Sequence, residues 1–402
     1  MKNEGGILVV DVGTTKICAL VGEEREGKLW VTGMGVMPAL GLKRGSIINI
    51  EEASQSIKGA IDKAVSQAKL QPDYVFTGIA GSHIKTQPNM GVVALKEKEV
   101  TPQDVEEVLA SAQAIDLPQD RILLHVIPQE FVVDQTRGIV HPIGMVGVRL
   151  EAHVQLITAQ RSYVQNLLRC FENLNLDVDG VIFQGLASAE AVLTPEEKEL
   201  GVLIIDFGGG TSDIVIYKEN VLRHVASVPV GGELLTGDLA VCLRTTRNEA
   251  EKIKIENGVC LRELVEEDDF IEVAGIGQRP GRKISKKILA EILEERVKEL
   301  LVLIDAEIRN FPKTFLTSGV VLTGGSSLLP GLLYLTDQIL DLPARVGYPE
   351  RLPGLTEEIS HPQFATAVGM LIYAYNNYYQ GLEKPSRKEG GLMEKIKRLL
   401  KI

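Results

Sequence analysis

The chain carries one local pattern twice, half a chain apart, and that repeat constrains its fold more than any other feature. Residues 7–21 read ILVVDVGTTKICALV: a β-branched run ends in Asp11, passes Gly13 and two threonines, and resumes as a second strand. Residues 201–217 read GVLIIDFGGGTSDIVIY and do the same around Asp206. The two acids lie 195 positions apart in a chain of 402 residues. Glycine within a strand context marks a turn or a close backbone approach. An acid at one strand tip is an ordinary turn former, whereas two copies of the whole pattern point to a duplicated unit. A third stretch, GVVLTGGSSLLPGL at 319–332, reads as strand, glycine pair, hydroxyl residues and helix start.

Such hairpins suit an anion. With few side chains in the way, backbone N–H groups in the glycine turns can converge on a phosphate. Thr14, Thr15, Thr211 and Ser212 can add hydroxyl donors, and Lys16 can offset charge. Asp11 and Asp206 repel phosphate. Their expected role is to hold Mg²⁺ through its waters, because that ion keeps its hydration shell.

The length allows two to four domains. A net charge of −11 argues against nucleic-acid binding through the body of the protein. The four cysteines are scattered, so neither a disulfide nor a zinc site is expected. Cys18, Cys170 and Cys242 sit in apolar stretches and are expected to pack as small hydrophobes, whereas Cys260 does not. The start MKNEGG lacks the layout of a signal peptide. No stretch reaches the roughly 18 apolar residues of a membrane span.

Strands and helices alternate, which favours an α/β architecture. Apolar spacing predicts a helix over 51–69 and a long one over 284–311, with Ile288, Leu289, Ile292, Leu293, Val297, Leu300, Leu301 and Ile304 on one face. The stretch around 83–160 differs in character. It reads as strands around one helix, with Thr101 as N-cap and Pro102 in first position, and so as a small α+β module set into the first half. His125 and His153 lie in strand patterns and read as satisfied structural residues rather than ligands. At the other end, GLEKPSRKEGG reads as a flexible linker. The following LMEKIKRLLKI puts Leu392, Met393, Ile396, Leu399, Leu400 and Ile402 on one helix face, and Lys395, Lys397, Arg398 and Lys401 on the other. A short basic amphipathic helix suits an anionic bilayer surface; docking on a partner protein is the alternative.

Together the three glycine motifs resemble the actin-like ATPase superfamily. The strings GSHIKTQPNMGVV, HVIPQEFVVD, PIGMVGVRLEAHV, GLASAEAVLT, LRTTRNEAEKIK and HPQFATAVGM, with the basic tail, narrow the resemblance to the FtsA family of bacterial division proteins over nearly the whole chain. The implied fold is an actin-like (ribonuclease H-like) two-lobed α/β fold with an inserted small α+β domain. The implied first lobe is 1–82 with 162–197 and 365–380, and the inserted domain is 83–161. The second lobe is 198–245 with 315–364, and its helical subdomain is 246–314. A linker at 381–390 and a membrane-targeting helix at 391–402 follow.

The resemblance implies ATP and Mg²⁺ in the cleft, held by Gly13, Thr14, Thr15, Lys16, Gly208, Gly209, Gly210 and Thr211 at the phosphates. Gly231 and Gly232 would form the floor. Glu251, Lys254, Gly324, Gly325 and Ser326 would surround the adenosine, with Asp11 and Asp206 at the metal. Membrane contact would fall to Leu392, Met393, Ile396, Lys397, Arg398, Leu399, Leu400 and Lys401. It implies a filament-forming protein on the cytoplasmic side of the membrane at the septum. Its partners would be further copies of itself, the FtsZ C-terminal peptide, anionic lipid and other division proteins. One departure bears on hydrolysis: many relatives have Glu-Pro where this chain has Gln184-Gly185. Gln184 can position water but cannot act as a base, so at most a weak Mg-dependent ATPase is expected. Packing at a strand end is the plainer role for Gln184. A pilus-assembly ATPase with a similar insertion, or a metabolic kinase of the superfamily, is the alternative reading.

Overall fold

Two five-stranded sheets share one topology. In the first, Gly6–Val12 pairs antiparallel with Lys16–Arg25, which pairs antiparallel with Lys28–Pro38. On its other edge Gly6–Val12 runs parallel to Pro72–Ile79, and that strand to Gly180–Phe183. The second sheet repeats this order with Val202–Phe207, Ser212–Lys218 and Val221–Val228 on one side and Val320–Thr323 and Ala344–Val346 on the other. The computed structural model describes residues 6–96, 99–275 and 280–379. The linker and the basic tail expected at 381–402 lie outside the described residues.

Strand alternation determines what each sheet faces. Val202 and Ile204 join the core of the first lobe, while Leu203, Ile205 and Phe207 point into a separate core. Asp206 therefore shares the face of Val202 and Ile204, which looks toward the helices Gln184–Val192 and Ala365–Ala374. These two helices cross closely at Gly369, where a Cβ would overlap the Ala187 carbonyl.

Residues 85–160 form a four-stranded sheet, ordered Lys85–Ala94, Arg149–Gln160, Arg121–Val133 and Thr136–Ile139. Helix Pro102–Gln113 covers it, opened by a reciprocal Thr101–Asp104 capping box. Val108 and Ala112 pack on Leu150, Ala152, Val154 and Leu156 in a core of their own. The near ends of two of its strands do not: Ile122, Leu124, Ile157 and Ala159 belong to the core of the first lobe.

Three expectations need correction. The long helix runs Lys286–Ile308, because Arg282–Ser285 pairs as a strand with Phe270–Val273 before Ser285 caps the helix. Ile288 is exposed, outside the buried stripe of Leu289, Leu293, Val297, Leu300, Leu301 and Ile304. Cys242 is exposed at the end of helix Gly232–Cys242, whereas Cys260 is buried, its N–H donating to the Pro330 carbonyl at 2.8 Å.

Gly369→Ala gains about 1 kcal/mol of helix propensity, but it must push rigid backbone aside, so a net loss of about 1–3 kcal/mol and a lower melting temperature are expected. Gly59→Ala, also within a helix, would meet only the flexible Met37 side chain at 3.1 Å, and should leave the melting temperature unchanged or raised.

Candidate functional site

The two glycine hairpins close in the same way. A Cβ on Gly13 would lie 2.8 Å from the Lys16 carbonyl oxygen, and one on Gly208 would lie 2.9 Å from that of Thr211. Both turns are thus too tight for a side chain, at equivalent positions of the repeat. The hairpins face each other across the lobes: Gly209 packs on Thr15, and Gly210 on Thr14 and the Arg44 backbone. Gly45 N–H donates to Thr14 Oγ1 at 2.9 Å and ties a third turn to the first hairpin. From behind, the start of helix Gly232–Cys242 holds the second hairpin: Gly232 N–H donates to the Gly208 carbonyl at 3.0 Å and Glu233 N–H to that of Gly209 at 2.8 Å.

A cavity of about 500 Å³ lies between the lobes, within the range of small-molecule sites. Asp11, Gly13, Thr14, Thr15 and Lys16 line it from the first hairpin, and Asp206, Gly208, Gly209, Gly210 and Thr211 from the second. Gln184, Gly232, Glu251, Lys254, Gly324, Gly325 and Ser326 line it as well. Gly231 does not; it backs the second hairpin, where a Cβ would press on the Gly208 and Gly209 carbonyls at 2.6 Å. Ser212 also turns away, donating to the Val230 carbonyl at 2.7 Å. The cavity is polar at the hairpins and partly apolar at its far end, where Leu235, Ile255, Leu328 and Leu329 stand beside Glu251 and Lys254. Lys254 is no free surface lysine: its Nζ donates to Glu251 at 2.7 Å, to Thr236 Oγ1 at 2.9 Å and to the Gly232 carbonyl at 3.1 Å.

Three buried carboxyls converge on the hairpin end. Asp11 accepts from Gln184 Nε2 at 2.8 Å and lies 3.8 Å from Lys16 Nζ. Gln184 opens its helix with its side-chain amide on the acid. Asp206 accepts from the hydroxyls of Ser188 and Thr366. Asp213 pairs with Asp206 in register, and its Oδ1 has no partner among the described residues. Burial pushes the Asp11 carboxyl up to about 6 against the pull of Lys16. Burial, then the Asp206 charge, pushes Asp213 up to about 8. Asp206 is also raised, by burial, against its two hydroxyl donors.

Among the described residues no three His, Cys, Asp or Glu side chains are placed to chelate a metal directly. Separate carboxyls around an open cavity suit a hydrated Mg²⁺ whose waters reach them.

Sequence reasoning missed Asp213, Ser188 and Thr366. The repeat held a signal for Asp213: it occupies the place of Cys18 in the first hairpin, so an acid stands at a strand position expected to be apolar. Ser188 and Thr366 carry no such signal, since only tertiary packing brings their helices to Asp206.

This fold and cleft define the actin-like class. The PilM-PilN type IV pilus biogenesis complex is similar in structure (TM-score 0.64, 16% identity, covering 91% of this chain and 97% of that one). So is MreB5 of Spiroplasma citri bound to ADP (TM-score 0.55, 14% identity, 92% and 97%). A family model described as cell division protein FtsA matches residues 203–369, and one for an SHS2 domain inserted in FtsA matches residues 81–158. The cell division protein FtsA of Pseudomonas aeruginosa is 42% identical over 94% of this chain and 91% of its own length. The chain belongs to the FtsA family of cell-division proteins.

The Asp213 shift sets a pH dependence. Folded, the group keeps its proton to about pH 8; unfolded, it loses it near 3.8. Between these values the native state binds the extra proton, so this contribution to stability falls as pH rises. In the nucleotide-free protein, Asp213→Asn should raise the melting temperature by an amount that grows from about pH 4 to about pH 8 and then levels. A constant difference across that window would mean the carboxyl titrates normally.

Proposed function

We propose that this chain binds ATP with Mg²⁺ between its lobes, polymerises on the inner face of the cytoplasmic membrane at the septum, and anchors the FtsZ ring there. The observation that carries the nucleotide part is the pair of equivalent glycine turns, each with a buried acid behind it, facing one cavity across the lobes. Amides of the turns and the hydroxyls of Thr14, Thr15 and Thr211 would hold the phosphates. Lys16 would offset their charge. Asp11 and Asp206 would hold the waters of Mg²⁺, which supplies charge neutralisation of the phosphates when bound. Leu235, Leu328 and Leu329 would cover the base, with Glu251 and Lys254 at the ribose end. The solved MreB5 neighbour carries ADP within the same fold class, which favours a nucleotide here.

Gln184 would orient a water but cannot take its proton, so slow hydrolysis is the proposed activity and the nucleotide serves mainly to clamp the lobes together. Membrane attachment would fall to Leu392, Met393, Ile396, Lys397, Arg398, Leu399, Leu400 and Lys401. Each basic group near an anionic surface contributes about 1 kcal/mol, so one tail binds weakly and a filament carrying many binds tightly. The helical region 246–314 is the proposed seat of the FtsZ C-terminal peptide. Family membership favours this division role over the pilus and kinase readings.

Calorimetry on the full chain should detect ATP uptake with Mg²⁺, and Lys254→Ala should weaken it about tenfold or more, the loss of about 1.4 kcal/mol from a charged hydrogen bond. Removing residues 391–402 should abolish pelleting with anionic liposomes and leave ATP affinity intact. Undiminished pelleting would reject the anchor role of the tail.

A further inference from the structure

His125 lies in the inserted domain, yet it bonds to the first lobe. The cause is a break in strand register. Arg121–Val133 pairs with Arg149–Gln160 so that Leu123 faces Thr158 and His125 faces Ile157, leaving Leu124 as an extra residue between them. A one-residue slip moves every following side chain to the opposite face, and bulges re-aim side chains in this way. Ile157 belongs to the core of the first lobe, so the bulge points His125 at that lobe rather than into the inserted domain's own core.

There its Nε2 accepts the Phe183 backbone N–H at 3.0 Å. Nδ1 lies 3.3 Å from Tyr373 Oη. An imidazole that accepts at Nε2 in its neutral form carries its proton on Nδ1 and donates it to Tyr373. Phe183 ends the edge strand of its sheet and immediately precedes Gln184, whose helix has no side-chain N-cap. From Gln184 the Nε2 group donates to Asp11 Oδ1 at 2.8 Å and to the Val12 carbonyl at 3.3 Å. The base of the inserted domain is held firmly: Arg121 donates to the His83 carbonyl at 3.0 Å and to the Thr158 carbonyl at 2.9 Å.

We propose that His125 is a positioning residue for Gln184, so that the inserted domain sets the placement of the side chain that orients water in the cleft. This rests on the nucleotide reading given above. A force on the inserted domain, such as contact with another protein, reaches the cleft through one bulged strand and one imidazole.

The test uses the full chain and single-turnover hydrolysis of radiolabelled ATP at excess protein, with ATP affinity measured in parallel. His125→Phe fills similar space but leaves Phe183 N–H without its acceptor; His125→Gln restores an acceptor. His125→Phe should slow hydrolysis about tenfold, as misplacement of a reacting group by a fraction of an ångström does, with ATP affinity within about twofold of wild type. His125→Gln should recover most of the rate. In a double-mutant cycle, His125→Phe should cost nothing further on a Gln184→Ala background, since both act through one side chain. Multiplying effects of the two substitutions, an unchanged rate in His125→Phe, or no hydrolysis by a wild type that binds ATP would overturn the inference. Failure of the wild type to bind ATP would instead remove the nucleotide reading itself.

Discussion

A carboxylate withdrawn from water must find donors or a cation, or keep its proton. Asp11, Asp206 and Asp213 are all nearly sealed from solvent at the tips of two hairpins, and much of the structure between the sheets serves them. One helix supplies Gln184 to Asp11 and Ser188 to Asp206; the other supplies Thr366. Those donors satisfy part of the demand. Asp213, whose Oδ1 has no partner among the described residues, instead keeps its proton to about pH 8. Under the proposed reading Asp11 and Asp206 would face a positive partner and the adjoining glycine turns a negative one. A metal–phosphate pair, as proposed above, would meet both at once.

The duplication explains why the acids can face each other. Two sheets of the same strand order present equivalent tips, and the crossing at Gly369 brings the supporting helices close enough for one helix to serve both acids. Contact of Gly209 with Thr15 and of Gly210 with Thr14 means that the lobes meet through the turns themselves. A ligand held between those turns, as proposed above, would touch both lobes at once.

The inserted domain is more than an appendage. Ile122, Leu124, Ile157 and Ala159 root it in the core of the first lobe, and the bulge at Leu124 directs one polar side chain out of it.

The repeat made the two sheets and most of the cavity wall legible in the sequence, because glycine turns and terminal acids are local signals. Thr101 and Pro102 likewise marked their helix start. What escaped depends on register and packing. The exposure of Cys242 follows from which helix face meets the core, and the burial of Cys260 from a loop that docks on the Pro330 carbonyl. Ser212 falls on the wrong side of its strand to serve the cavity. The aim of His125 depends on a one-residue slip that no periodicity reveals. Under the proposed function one ligand is gripped by both hairpins at once. A crystal structure with a non-hydrolysable ATP analogue and Mg²⁺ tests it most directly: the phosphates should contact the turns at 13–16 and 208–211 together, with hydrated metal beside Asp11 and Asp206. Phosphates resting on one lobe alone, or outside the cleft, would contradict it.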